Sequence, residues 1–286
     1  MIAIPDLLIR PNRFFQNKID IFSEIDVIIA SAPVFHVHQA RYPMRALVLC
    51  SLLLVGFAVP GHAPVETGSD GYGFQFVRIR YNSSRGWSWA YDYPTAEENL
   101  YEAIRKTTKL YLEGEPLVLT LDDERIFEFP ILYLCEPGFW ITNEEEVKNL
   151  QEYFARGGFL IIDDFHDYGD GRLGRQWYNF YNNIKLIFPD REPVELTPDH
   201  PIWSIYYDID PVAAVSTKIK MGQTPWLDVD DDTYYGIFDD NGRMMVVICY
   251  NQDIGDGWEW PTRNVGEAST VSFQMAINFI LYALTH

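Results

Sequence analysis

The run Phe159-Leu-Ile-Ile-Asp-Asp-Phe-His166 ends in Asp163, Asp164 and His166, two carboxylates and an imidazole placed where an apolar strand stops. Such a set can hold a divalent metal or serve as an acid/base pair. The competing reading is a polar turn in which an aspartate caps a helix or accepts from loop amides. A second cluster is Asp199-His200-Pro201, followed by Tyr206-Tyr-Asp-Ile-Asp210. Asp208 and Asp210 share a side if that stretch is extended, and with His200 they would complete a site begun by Asp163 and His166. Alternatively Asp199 caps a turn shaped by Pro201. A third, Tyr250-Asn-Gln-Asp-Ile-Gly-Asp-Gly-Trp-Glu-Trp260, offers Asn251, Gln252 and Asp253 as hydrogen-bonding groups. Its Trp258 and Trp260 would either stack a sugar or peptide ring or plug the loop. The catalytic candidates are therefore Asp163, Asp164, His166, His200 and Asp253. The metal candidates are Asp163, His166, His200 and Asp208, with a divalent ion as the implied cofactor.

Other patterns carry less. Cys135-Glu-Pro-Gly138 has the outline of a nucleophile elbow, but Tyr133 stands where a glycine is needed and Pro137 where a small residue is needed. Asp228-Val-Asp-Asp-Asp232 matches a calcium loop only in composition, without its central glycine and terminal glutamate. The glycine-rich fingerprints for dinucleotides and for nucleoside triphosphates are both missing from the sequence.

The elements that would position these residues alternate. Strand patterns cover 74–81, 116–121, 129–135 and 159–162. Thr95-Ala-Glu-Glu98 and Thr142-Asn-Glu-Glu145 read as capping boxes, the second opening a helix that stops at Gly157-Gly158. Two apolar strands around that helix make a βαβ unit with parallel neighbours. The stretch 159–162 is apolar on both faces and belongs in the middle of a covered sheet. A helix over 176–187, a hairpin of 234–238 with 243–249 around Asn241-Gly242, and a helix over 270–284 packed on the sheet follow. In open parallel sheets ligands sit beyond the carboxyl ends of the strands, where Asp163 to His166 arrive.

Export is expected. Met44-Arg45, the apolar run 46–59 and Pro60-Gly-His-Ala63 form the three parts of a signal peptide, too short for a comfortable span of about 20 residues. Translation is expected to start at Met44, making 1–43 a mis-annotated extension, with 64–73 a linker and 74–286 a single α/β domain. The location is then periplasmic or exported, with an N-terminal membrane anchor if the signal stays uncleaved. N-terminal sequencing of the mature protein should begin near Pro64; a full-length cytoplasmic protein would refute this. The remaining chain carries 17 basic and 37 acidic residues, so a nucleic-acid backbone is repelled. Cys135 and Cys249 lie in apolar runs and read as buried free thiols. After signal cleavage no run is read as a stable transmembrane segment.

Gly73-Phe-Gln-Phe-Val-Arg-Ile-Arg-Tyr81, Asp92-Tyr-Pro94, Phe129-Pro-Ile-Leu-Tyr133, Glu136-Pro-Gly138, Arg156 through Asp164, Phe188-Pro-Asp-Arg191, Asp199-His-Pro201, Asn251-Gln-Asp253 and Trp258-Glu-Trp260 occur in an order that resembles a bacterial domain-of-unknown-function family over about 72–286. The resemblance implies a three-layer, open, mostly parallel α/β sheet of the class I glutamine amidotransferase-like (flavodoxin-like) kind. In catalytic members of that wider group a cysteine occupies the elbow; here Asp163, Asp164, Phe165 and His166 follow the corresponding strand, which speaks against amidotransfer. The resemblance also suggests a role in envelope assembly, and the expected partner is an envelope protein or a glycan or peptide ligand. The preferred reading is an exported ligand- or partner-binding domain; the alternative is a metal-assisted hydrolase acting on a glycan or peptide.

Overall fold

The computed structural model describes residues 73–167, 174–210, 233–262 and 268–286. The expected leader and nearly all of the expected linker lie outside the described residues, as does Asp228–Asp232. Nine strands lie among the described residues: β1 (Val77–Ile79), β2 (Asn82–Ser83), β3 (Leu117–Leu119), β4 (Ile131–Cys135), β5 (Trp140–Ile141), β6 (Phe159–Asp163), β7 (Val194–Glu195), β8 (Thr233–Phe238) and β9 (Met244–Tyr250). The helices are α1 (Thr95–Thr107), α2 (Glu144–Ala155), α3 (Arg175–Ile187), α4 (Ile254–Glu259) and α5 (Ala268–Thr285).

Seven strands form one mixed sheet in the order β3-β1-β4-β6-β9-β8-β7, parallel from β3 to β9 and antiparallel at β8 and β7. β6 is the middle strand and all five of its residues are buried, as its two apolar faces require. Alternation along the strands divides the core. Tyr133, Cys135, Ile161 and Cys249 face α1 and α5, while Leu132, Leu134, Ile162 and Ile248 face α2 and α3. The result is a three-layer α/β architecture.

The boundaries differ from the expectation in two informative places. Thr95 does not cap α1: it is the first helical residue, after Pro94, and no side chain caps that end. The box on α2 is shifted by one residue, because Asn143 accepts from the Glu145 and Glu146 amides while Glu146 reaches back to the Asn143 amide. The helix ends as expected at Gly157, whose φ of 95° lets the Gly157 and Gly158 amides bond back to Phe154 and Tyr153. Helix α5 is long and apolar enough to cross a membrane by composition, contrary to the expectation that no such run remained. Of its residues 72% are buried in this fold, as in a core helix.

Candidate functional site

Among the described residues, four that are not glycine hold a left-handed backbone: Asp92 (φ 64°), Glu136 (52°), Asp164 (67°) and Asn251 (55°). Glu136, Asp164 and Asn251 directly follow β4, β6 and β9, and Asp92 lies in the loop leading from β1 into α1. Each such residue costs about 1–3 kcal/mol, and this kind of strain clusters where side chains are aimed for use. Here it turns the chain at the carboxyl rim of adjacent strands. A cleft of about 620 Å³ opens there, lined by Asp92, Glu136, Asp164, His166, Asp253 and Asp256 together with Arg85, Tyr91, Phe139, Asp167, Gly174, Arg175 and Gln176.

The two consecutive aspartates do different work. Asp163 continues the pleat of β6 into the α1 and α5 side and is fully buried. Its carboxylate accepts from the Tyr133 hydroxyl at 2.9 Å and from the Ile254 and Gly255 amides at 3.2 and 2.9 Å, which fixes the start of α4. Burial, and then the charge of Asp164, push it up to about 7. Asp163 is thus an anchor beneath the cleft. Asp164, reversed by its left-handed turn, lies against the cleft: its Oδ1 is 3.0 Å from His166 Nδ1, and its Oδ2 accepts the Cys135 thiol at 3.4 Å. Glu136 Oε1 lies 4.0 Å from the same imidazole nitrogen.

The opposite wall comes from the β9 end. Asp253 caps α4 by accepting from the Asp256 amide at 3.0 Å. Burial pushes its carboxyl well above the usual range, and the charges of Asp164, Asp92 and Asp256 add to the rise. Asp256 is pushed up to about 6 by burial and by Asp164 and Glu259. Asp92 is pushed up to about 10 by burial, then by Asp164 and Asp256, and its Oδ2 is buried with no hydrogen-bond partner. Gly255 makes this approach possible, since a Cβ there would stand 2.6 Å from Asp92 Oδ2. Beneath the loop that carries Asp92, the fully buried Arg78 donates to the Trp89 and Tyr91 carbonyls at 3.1 and 2.9 Å and pairs with Glu97.

Three overlapping groups have ligand atoms within 4.8 Å of one another: Asp92, Asp253 and Asp256; Glu136, Asp164 and His166; and Asp92, Cys135 and Asp164. Oxygen ligands sit about 2.0–2.6 Å from a magnesium or calcium ion, so two ligands across one ion are about 4–5 Å apart. The donor atoms of the first group therefore match a hard divalent cation in both chemistry and span.

Asp163, Asp164, His166 and Asp253 are brought together at this rim, but His200 and Asp208 are not. The His200 ring packs on Phe238 and Tyr282 at 5.8 and 5.5 Å, and its Nδ1 accepts from the Ile202 amide at 3.2 Å. Tyr282 in turn bonds the Met244 amide where β9 begins, so His200 sits near the other rim, about 20 Å away along the strand. Asp208 is exposed, in a segment tied to α5 through Asn278. The shared site that would have joined both histidines does not form. Trp258 is fully buried, its indole donating to the Ser272 carbonyl, and so plugs the core. Cys135 and Cys249 are free and buried as expected, and burial drives the Cys135 thiol upward, which disfavours a nucleophile.

Asp92, Glu136, Asp256 and Asp167 escaped sequence reasoning. Asp167 accepts from the Gln176 and Trp177 amides at 2.8 and 2.7 Å, capping α3, while its own amide donates to Asn251 Oδ1 at 2.9 Å. This holds the His166 segment to both neighbouring elements. The usable signal was an acidic residue directly after a buried strand, which Glu136 carries. Asp92 lies in a loop and Asp256 in the first turn of α4, and both lack it.

Comparison with curated proteins finds no match to this chain. The model of one family, described as a domain of unknown function (DUF4159), matches residues 75–284, a span that includes the whole rim from Asp92 to Asp256, and the chain belongs to that family.

Proposed function

We propose that the strand-end cleft is a divalent-cation-dependent hydrolytic centre acting on a glycan or peptide, in a protein exported through its 44–63 segment. The observation that carries this reading is the convergence of Asp92, Glu136, Asp164, His166, Asp253 and Asp256 from four adjacent strand ends in one cleft. Buried carboxylates this close must either take up protons or share a cation. Asp92, Asp253 and Asp256 would hold the ion, which supplies a lowered water pKa and polarises a substrate oxygen. Asp164, beside His166 Nδ1, would keep the proton on that nitrogen and leave Nε2 to accept or deliver one. Asp163 and Arg78 position the two walls from below.

The five parallel strands supporting this rim, numbered in their own chain order, run 2-1-3-4-5. That order is the flavodoxin-like one, and it supports placing the fold near the class I glutamine amidotransferase-like group. The order reverses between β1 and β4, where Asp92 and Glu136 stand. Amidotransfer is not proposed, because the elbow after β6 carries Asp164 in place of a cysteine.

Calorimetric titration of chelator-treated protein with MnCl2, MgCl2 and CaCl2 is expected to show saturable binding. The loaded protein should then release reducing ends or amines from oligosaccharide or peptide pools, and lose that activity on re-chelation. A protein that binds none of the three ions at about 1 mM, the weak end of protein calcium sites, would overturn the proposal.

A further inference from the structure

The loop between β2 and α1 spends apolar surface on solvent. Trp87 is 79% exposed, Tyr91 46% and Tyr93 37%. The Trp87 and Trp89 rings lie 6.5 Å apart at 26°, and Tyr93 follows Trp89 at 6.1 Å. The row is built to hold its shape. Arg78 grips the Trp89 and Tyr91 carbonyls from below, the Ser84 amide donates to the Phe139 carbonyl at 3.0 Å, and β2 pairs with β5. It is also continuous with the cleft, whose wall includes Arg85 and Tyr91 from this same loop.

We infer that Trp87, Trp89 and Tyr93 form a stacking platform for a glycan chain, which leads one end of that chain into the carboxylate cleft. The inference rests on the hydrolytic reading above and names its substrate class. A pyranose ring presents an apolar C–H face and a hydroxyl-bearing edge. The platform offers flat aromatic faces, and the adjoining cleft offers Asp92, Glu136 and Asp164 as acceptors for hydroxyl donors. A hydrocarbon surface would satisfy the rings but desolvate those acids without giving them donors, which is costly. Trp87 is also open to solvent, with Trp89 half-buried against the core beside it, in place of the enclosed side-chain pockets through which peptides are selected.

The test is a tryptophan-fluorescence titration of the full chain in EDTA with cellotetraose and chitotetraose, run beside tetra-alanine and phosphatidylcholine vesicles. One tetrasaccharide is expected to bind. Trp87→Ala should weaken it about tenfold or more and Trp87→Phe by much less, since an aromatic face is kept. Because Trp87 is largely exposed, Trp87→Ala should keep the wild-type far-ultraviolet dichroism, melting temperature and manganese affinity. Failure of both tetrasaccharides, equal affinity in Trp87→Ala, or a response only to peptide or vesicles would each overturn the inference. Sugar binding in a protein that takes up no cation would support the platform and overturn the hydrolytic reading, so the two fail separately.

Discussion

Replacing Asp92 and Asp253 together by asparagine is expected to weaken manganese binding by at least about 100-fold while raising the melting temperature of the metal-free protein. The loss follows from removing two of three carboxylate ligands; even outer-shell partners of a metal are worth about 10–100-fold. The gain in stability follows from the burial, and then the like charges, that push Asp92 up to about 10 and Asp253 well above its usual range. Asparagine keeps the backbone roles of both residues. It tolerates the left-handed φ of 64° at position 92, and its side-chain oxygen can still accept the Asp256 amide from position 253. In the wild type, an ion at 100 times its dissociation constant should stabilise by about 2.7 kcal/mol, or roughly 5–10 °C for a domain of this size. The variant should gain almost nothing from the ion. Calorimetry and thermal melts with and without MnCl2 separate the readings. A variant that melts lower than wild type and binds manganese equally well would mean that these acids are structural caps only.

The same residues show what a sequence can and cannot reveal about such a site. β6 was legible as a central strand because Phe159 to Ile162 are apolar on both faces, and a strand with that pattern has nowhere else to go. The position of the rim followed from it. What lay beyond reach was the division of labour between Asp163 and Asp164. They are chemically identical neighbours, and only the left-handed turn at Asp164 sends one under the sheet and the other to the cleft. The error over His200 has a similar origin. An Asp-His-Pro turn looks the same whether the following loop reaches the active rim or folds back over α5 and β8, and long-range packing of Trp203 on Tyr234 and of Asn278 on the 202–207 segment decided that. The one-residue shift of the α2 capping box is a contest between two good candidates, Thr142 and Asn143. Thr142 instead donates its hydroxyl to Glu146 at 3.1 Å, and Asn143 takes the amides.

Metal-free protein should become less stable as pH rises from about 4 to 8, the reverse of the trend expected for paired carboxylates. Asp256 is pushed up to about 6, Asp163 to about 7 and Asp92 to about 10, each from an ordinary value of 3.8. Between these limits the folded chain holds more protons than the unfolded chain, so the slope of unfolding free energy with pH is negative. The stabilising contribution is fully present below about pH 4 and is lost in stages as pH climbs through the folded values. Each tenfold gain in proton affinity on folding is worth about 1.4 kcal/mol, so even after discounting mutual coupling the melting temperature should fall by roughly 5 °C or more over this range. Divalent cation should reverse the slope. Ion and proton compete for the same oxygens, so affinity rises with pH, and the stability gained on adding manganese should be small at pH 5 and large at pH 8. Thermal melts at fixed ionic strength, with EDTA or with MnCl2, read both slopes directly. A metal-free protein whose stability rises steadily to pH 8 would show that the cleft carboxylates are each compensated within the fold, and a cluster so compensated has no need of a cation.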